Sequence, residues 1–437
     1  MKFLSSSIFT FLEIVIFASL ILYLLVTQLN VPTIDEWELA GFVKHYYEGT
    51  LSISVLNAPH NECRMLYPHL VNLFIILISK WQSFYLVSFN MVLLFGFYLI
   101  FKRNIFSVFT NKSTVSHIIL VMCMVMIFSF KNYEGIISGF ILCHYLMIFA
   151  TFLSLIILQK ITWRNVLISC LLAHIATLSY ATGFLTWVCI LTIIILNSLE
   201  IKNKIGFILF VSLCMLVQVF FYFSDYHSTS ILTERTLNPL KIVPYCLSFL
   251  SNNITSNSTL GIVFTIGQLG SICGATYLIF KFDREKLKHL IPYLIFGLFG
   301  VLIGLMTAYG RASEGIEQSL AKRYCILSLP FTLLFFVSII IHFEYLNRWN
   351  SLKFVKNAFV LLVLAFFSYL IFTQGRYIKL ANEKNTDILV AKELVLQSDY
   401  SNIMVKNFIY PYPERLKSHV EVLKKYKFSL YYSGSSK

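Results

Sequence analysis

The stretch Ile8–Gln28, IFTFLEIVIFASLILYLLVTQ, decides the fold class of this chain. It is apolar over 21 residues, and Glu13 is its single charged residue. A helix of roughly 20 apolar residues can cross the hydrocarbon core of a bilayer. Similar runs recur through most of the 437 residues, and they are continuously apolar rather than alternating. This pattern favours helices over a β-barrel. The sequence therefore predicts an all-α polytopic membrane protein.

Composition agrees with a membrane protein. Hydrophobic residues make up 57% of the chain and charged residues only 13%, against about 25% charged residues in soluble domains. The net charge of +14 is expected from Lys and Arg in cytoplasmic loops, and no basic stretch belongs to a soluble domain, so we predict no nucleic-acid partner. Nine scattered cysteines without a CxxC pair favour neither a metal site nor a disulfide framework.

Hydropathy and the distribution of Lys and Arg predict about 11 transmembrane helices, within a range of 9–12, with the N-terminus cytoplasmic and the C-terminus outside. Met65–Trp81 is apolar but short, and whether it crosses stays open. The predicted spans are Ile8–Gln28, Phe84–Phe101, His117–Phe130, Ile137–Leu158, Asn165–Ser179, Gly183–Asn197, Ile205–Phe223, Leu260–Phe280, Leu290–Ala308, Tyr324–Ile341 and Asn357–Thr373.

The chain divides into a transmembrane domain, residues 1–373, and a charged C-terminal tail, residues 374–437. The first outer loop, residues 30–64, includes a predicted amphipathic helix over Glu36–Tyr47 that would rest on the membrane with Trp37 at the interface. The tail reads as a small extracytoplasmic cap that is too short for a large core of its own. Its basic residues could contact anionic headgroups or a polyanionic partner, or could simply be solvated.

Polar residues that could carry chemistry gather at the predicted outer face. Acids and arginines that meet there suggest a site for a lipid-linked anion, because Arg suits phosphate and a carboxylate can act as a general base. Each also has a plainer explanation: solvated loop acids, helix-end acids or arginines that extend to the interface. The candidates are Asp35, Glu36, His60, Glu62, Arg64, Tyr133, Glu134, Arg311 and Arg323.

Five short patches and the overall layout resemble a known family. They are the acidic pair Asp35-Glu36, the HNExR…P cluster from His60 to Pro68, the YEG…GF junction from Tyr133, GRxxxG…RY from Gly310 to Tyr324, and YPxPExL from Tyr410. Together they resemble GT-C-type membrane glycosyltransferases, and in size and layout the phage-type serotype-converting O-antigen glucosyltransferases. The chain departs from the pattern at Cys63, where a more polar residue is expected.

The resemblance implies an inverting glycosyltransferase in a bacterial inner membrane. Such an enzyme moves a hexose, which the resemblance implies is glucose, from undecaprenyl phosphate to the O-antigen repeat of lipopolysaccharide at the periplasmic face. The implied partners are this polyprenyl-phosphate sugar donor, a lipid-linked glycan acceptor, membrane lipids, and a flippase and a transferase that supply the donor. No cofactor is implied, and without an Asp-x-Asp motif no metal is expected.

The same resemblance assigns roles to the candidate residues. Asp35 takes the place of the catalytic base, and Glu36 is the second candidate. Arg311, Arg323 and Arg64 would bind the donor phosphate. His60, Glu62, Tyr133 and Glu134 would bind substrate.

Two other kinds of protein remain as alternatives. A flippase or exporter of lipid-linked glycans should carry ionisable residues deep in its spans, where this chain has little beyond Glu13 and a few histidines. An O-antigen polymerase or ligase should carry a large outer loop late in the chain, and Ser224–Thr259 is modest for that role.

Overall fold

The computed structural model describes residues 6–109, 113–226, 235–348 and 353–432. Within these ranges the chain forms eighteen α-helices, several short 3₁₀ turns and one two-stranded antiparallel hairpin. The helices are α1 Ser6–Thr27, α2 Leu39–Tyr47, α3 Ile53–Leu56, α4 Leu66–Ser79, α5 Ser83–Val108, α6 Thr114–Ile127, α7 Tyr133–Ile137, α8 Leu142–Ile157, α9 Trp163–Thr177, α10 Leu185–Leu196, α11 Ile201–Phe223, α12 Pro239–Leu250, α13 Ser258–Phe282, α14 Arg284–Arg311, α15 Cys325–Arg348, α16 Lys353–Leu396, α17 Ile403–Phe408 and α18 Pro413–Tyr426. The hairpin strands are β1 Pro59–His60 and β2 Cys63–Arg64.

Nine helical segments in the described part of the chain are long and apolar enough to cross a membrane. This confirms the prediction of an all-α, multi-pass membrane protein. The predicted spans Asn165–Ser179 and Gly183–Asn197 correspond to α9 and α10, which have only 15 and 12 residues. At 1.5 Å per residue they reach about 23 and 18 Å, less than the roughly 30 Å of a hydrocarbon core. The count of eleven therefore stays a prediction.

The undecided segment Met65–Trp81 forms α4, which has 14 residues and a length of about 21 Å. The chain reverses directly after it, because Lys80 and Trp81 both adopt positive φ angles, 54° and 57°. The inner face of α4, including Ile76, packs in the same hydrophobic cluster as the C-terminal tail. This segment therefore packs against the tail at one end of the bundle.

The predicted loop Ser224–Thr259 contains a helix that the hydropathy analysis missed. Helix α12 begins after Asn238, whose side chain accepts a hydrogen bond from the Leu240 N–H, and Pro239 occupies its first turn. Both are ordinary helix-start signals. The helix packs on α13 and α14 and buries Tyr245 and Phe249. Residues 227–234 of this loop lie outside the described ranges.

The boundary predicted at residue 373 falls inside a continuous helix. Helix α16 has 44 residues, about 66 Å, and includes both the predicted span Asn357–Thr373 and residues 374–396 of the predicted tail. Its first half is apolar and its second half is charged. The helix therefore carries the chain directly from the membrane domain into the tail.

The C-terminal tail and the first loop share one hydrophobic core. We call residues 397–432, which follow α16, the cap. Cap residues such as Ile409 and Leu416 pack in one cluster with Trp37 and Trp81. Trp37, predicted at the membrane interface, is 0% exposed, and α2 lies against α18 of the cap. A helix therefore forms over most of the predicted range, but Trp37 is covered by protein instead of lying at the membrane interface, while Tyr46 and Tyr47 stay exposed. Contact of this helix with the membrane surface stays a prediction.

A buried ion pair accounts for the single charge in α1. Glu13 is 4% exposed and accepts hydrogen bonds from Lys102 Nζ at 2.5 Å and from Tyr98 Oη at 2.7 Å. Both partners lie on α5. Removing one member of a buried pair leaves the other charge uncompensated in a medium of low dielectric.

We expect Glu13→Leu to lower the free energy of unfolding by roughly 3–5 kcal/mol. Thermal unfolding of the detergent-purified protein measures this loss. The double variant Glu13→Leu/Lys102→Met removes both charges and should recover most of it. If the double variant were as unstable as Glu13→Leu, apolar packing rather than the ion pair would explain the loss.

Candidate functional site

Residues from five separate parts of the chain line one cleft at the cap end of the bundle. Its lining includes Asp35 of the first loop, Glu134 of α7, Arg323, Lys384 of α16 and Phe408 of α17. We call this the Asp35 cleft. Its cavity volume is about 80 Å³, the room of two or three water molecules.

The backbone around Ile34 positions Asp35. Ile34 adopts φ 48°, a left-handed conformation that is strained for a β-branched residue. Its N–H donates to the Ile409 carbonyl of the cap at 2.6 Å, which holds this geometry. The 3₁₀ helix Ile34–Glu38 follows at once. The cap therefore helps to set the direction of the Asp35 side chain.

The Asp35 carboxylate lies at the cleft and is 51% exposed. Partial burial raises its pKa above the ordinary value, while the charges of His60 and Arg323 oppose that rise. The His60 Nε2 lies 4.0 Å from Asp35 Oδ2. An accessible carboxylate with a raised pKa is suited to accept a proton.

Glu36, the second candidate base, points the other way. It is 0% exposed, and its carboxylate accepts hydrogen bonds from Trp81 Nε1 at 3.1 Å and from Ser138 Oγ and the Gly139 N–H at 3.3 Å. Burial raises its pKa to about 7, although these hydrogen bonds oppose the rise. We therefore assign Glu36 to the scaffold, where it joins the first loop to the segment before α8.

The raised pKa of Glu36 predicts a pH-dependent stability. The unfolded carboxyl ionises near its ordinary value of 4.5 and the folded one near 7. The folded state thus binds more protons in between, so stability is lost as pH rises through this window, by roughly 3 kcal/mol. Thermal unfolding at about pH 5 and about pH 8 should show this loss in the parent and not in Glu36→Gln. Equal pH dependence in both proteins would contradict the assignment.

Basic side chains face the acids of the cleft. Lys384 Nζ lies 3.5 Å from Glu134 Oε1 and is only 17% exposed. Arg323 lines the same cleft and interacts electrostatically with Asp35 and Glu134. Sequence reasoning missed Lys384, because it lies in the charged half of α16, where nothing distinguishes it from its exposed neighbours. These two cations give the cleft a place for an anion next to the Asp35 carboxylate.

Tyr133 lies beneath this region. Its side chain is 4% exposed, and its hydroxyl accepts a hydrogen bond from Lys322 Nζ. The ammonium also lies 4.2 Å from the centre of the Tyr133 ring. Tyr133 thus supports the 3₁₀ turn Lys322–Tyr324 that presents Arg323.

Glu62 and Arg311 form a second, looser pair near the hairpin. Arg311 Nη2 lies 4.0 Å from Glu62 Oε1, and its Nη1 donates to Glu314 at 2.8 Å. Neither Glu62 nor Arg311 lines the Asp35 cleft. Arg311 therefore sits beside the cleft rather than within it.

Arg64, a predicted phosphate ligand, belongs to the scaffold. Its guanidinium donates to the carbonyls of Tyr222 at 2.7 Å, Asn57 at 2.9 Å and Ser224 at 2.6 Å. These bonds fasten the hairpin to the end of α11. Neighbouring Cys63 is buried, which raises the pKa of its thiol to about 12 and keeps it neutral. Cys63, where the chain departs from the family pattern, is therefore a buried residue of the packed scaffold.

An apolar groove of about 420 Å³ lies between α9, α10 and α11. Its walls include Leu171, Leu213 and Trp187, and Asn57 and Tyr222 line it next to the hairpin. His174 Nδ1 and Gln218 Oε1 form a hydrogen bond within it. A groove with this lining suits a hydrocarbon chain better than a polar molecule.

Comparison with known proteins finds no matching protein-family model, no matching curated protein and no matching solved structure. Among the described residues, no three His, Cys, Asp or Glu side chains come together as a metal site would require. The expectation that no metal is needed stays a prediction. What this chain does has to be inferred from its own residues.

Proposed function

We propose that this protein is a GT-C-type glycosyltransferase that moves a hexose from a polyprenyl-phosphate donor to a lipid-linked glycan. The observation that carries the proposal is the Asp35 carboxylate in a cleft with Arg323 and Lys384. An acid that can take a proton and cations that can hold a phosphate are the two groups this transfer requires. The sequence resemblance supports the same class, with glucose as donor sugar and the O-antigen repeat as acceptor.

In the proposed reaction the acceptor hydroxyl gives its proton to Asp35 as its oxygen attacks the anomeric carbon. The bond between that carbon and the phosphate oxygen breaks, and the electron pair leaves with polyprenyl phosphate. Arg323 and Lys384 stabilise the negative charge that grows on the phosphate. A single displacement of this kind inverts the anomeric configuration.

The apolar groove between α9, α10 and α11 is suited to the lipid portion of a substrate. Its position beside the hairpin brings a bound chain near His60 and Glu62. The proposed location is a bacterial inner membrane, with the Asp35 cleft and the cap on the periplasmic face. When the C-terminal tail is left out, Lys and Arg are more frequent in the loops of the opposite face, which favours this orientation.

The experiment that tests the proposal uses the purified full-length protein reconstituted in lipid vesicles. The protein is supplied with polyprenyl-phosphate glucose and a lipid-linked O-antigen repeat. We expect release of polyprenyl phosphate together with an acceptor heavier by one hexose, both measured by mass spectrometry. Donor that crosses vesicle membranes without release of polyprenyl phosphate would contradict transfer and support a carrier.

A further inference from the structure

A second polar cavity lies at the end of the helix bundle opposite the Asp35 cleft. It has a volume of about 360 Å³ and is lined by Gln159, Asn197, Arg284 and Lys288, with apolar walls that include Ile193 and Pro292. We call it the basic pocket. It lies where α8 and α10 end and α14 begins, whereas α14 ends at Arg311 near the cleft. It is therefore separate from the proposed catalytic site.

The charges around the basic pocket favour an anion. Arg284 and Lys288 line it, and none of its lining residues is acidic. Two acids flank Arg284 along the chain, and the first, Asp283, is paired with Lys286 at 3.7 Å and with Arg348 at 3.6 Å. Glu285 pairs with Lys288 at 3.0 Å, but both side chains are largely exposed. The pocket thus keeps a positive balance close to the start of α14.

Some carbonyls of the helix ends that meet there are already bonded to side-chain donors. The last carbonyls of α8 and the turn after it accept from Asn165 Nδ2, at 3.2 Å for Ile157 and 2.7 Å for Lys160. In α10, the Ile195 carbonyl accepts from Lys204 Nζ at 3.1 Å. Carbonyls that are already bonded to donors exert less repulsion on an anion.

The pocket also holds an unused hydrogen-bond donor. Gln159 Nε2 is buried and has no hydrogen-bond partner among the residues described. A buried donor without a partner costs free energy that a ligand oxygen would recover. The walls on either side are apolar. The site therefore combines donors for an oxyanion with a surface for a hydrocarbon chain.

We propose that the basic pocket binds the phosphate of an anionic phospholipid, with the acyl chains along its apolar walls. Free inorganic phosphate would offer the same oxygens to the pocket, but the apolar walls favour the lipid. Basic pockets at helix ends are a known mode of lipid headgroup recognition. This proposal does not depend on the proposed enzymatic function.

Native mass spectrometry of the detergent-purified full-length protein tests this proposal. The protein is mixed with equal amounts of phosphatidylglycerol and phosphatidylcholine. We expect the parent to retain phosphatidylglycerol preferentially, and Arg284→Gln/Lys288→Gln to reduce that retention roughly tenfold or more. The matched control is Arg103→Gln/Lys353→Gln, which removes one exposed Arg and one exposed Lys at the same end but outside the pocket. It should retain lipid like the parent.

Each other result would overturn the proposal. Equal losses in both double variants would indicate attraction by general charge rather than a built site. Undiminished retention in Arg284→Gln/Lys288→Gln would exclude the pocket. In a separate arm, inorganic phosphate that displaces phosphatidylglycerol from the parent at equal concentration would make the site one for free phosphate. Thermal unfolding of each variant shows that lost binding does not reflect lost folding.

Discussion

Asp35→Asn should abolish hexose transfer, with a fall in rate of about 10²–10⁴-fold, the usual contribution of a general base. Asn keeps the shape of the side chain but cannot accept the proton of the acceptor hydroxyl. The carboxylate lies at the cleft beside Arg323 and is accessible to substrate. Release of polyprenyl phosphate by the purified variant measures the effect, and the mass of O-antigen repeats from cells gives a second readout.

Two controls separate chemistry from folding in this experiment. Asp399→Asn changes an exposed acid of the cap and should leave transfer unchanged. Glu36→Gln tests the neighbouring carboxylate, which is buried beside Trp81. Transfer that survives Asp35→Asn while the protein stays in the membrane would move the base to Glu134 or Glu62. The raised pKa of Asp35 also means that the parent should lose activity as pH falls and this carboxylate is protonated.

Arg323→Gln should cause the second large loss, about 10²–10³-fold in kcat, if its guanidinium stabilises the charge on the leaving phosphate. Arg323 lines the cleft together with Asp35 and Glu134. Lys384→Gln should reduce transfer less, because Lys384 is partly engaged by Glu134 at 3.5 Å. Arg323→Lys should restore part of the rate, since it keeps the charge without the planar fork.

The control for Arg323 is Arg376→Gln, which removes an exposed arginine of α16. It should not change the rate. A variant Arg323→Gln that raises KM and leaves kcat unchanged would show that Arg323 only binds the donor. Full activity in the variant would remove Arg323 from the site, and Arg311 would then be the next candidate.

The sequence predicted several site residues that the fold brings together. Asp35, Glu134 and Arg323 line one cleft, and His60 lies 4.0 Å from Asp35. Their grouping could be anticipated, because residues at span boundaries on one membrane face are confined to a single layer. Arg64 could not be placed in this way. An arginine suits phosphate, but the Arg64 guanidinium already donates hydrogen bonds to three backbone carbonyls.

Sequence patterns also could not predict that Lys384 lines the cleft or that the first loop and the cap share one hydrophobic core. Lys384 meets Glu134 only because α16 continues far past the predicted membrane boundary. Trp37 is buried because it packs in one hydrophobic cluster with residues of the cap. Hydropathy shows that an apolar face must be covered. It does not show whether lipid or protein covers it, because both give the same sequence pattern.

By itself, the sequence determined the fold class and the short list of candidate residues. Both depend on local properties: runs of apolar residues long enough to cross a bilayer, and side chains whose chemistry is rare near lipid. Only the tertiary structure decided which of Asp35 and Glu36 faces the cleft. Successive residues of a 3₁₀ helix point roughly 120° apart, so only one of the two can face the cleft. The Ile409 carbonyl, from the far end of the chain, holds Ile34 in its strained conformation. This conformation helps to turn the side chain of Asp35, rather than that of Glu36, toward the cleft.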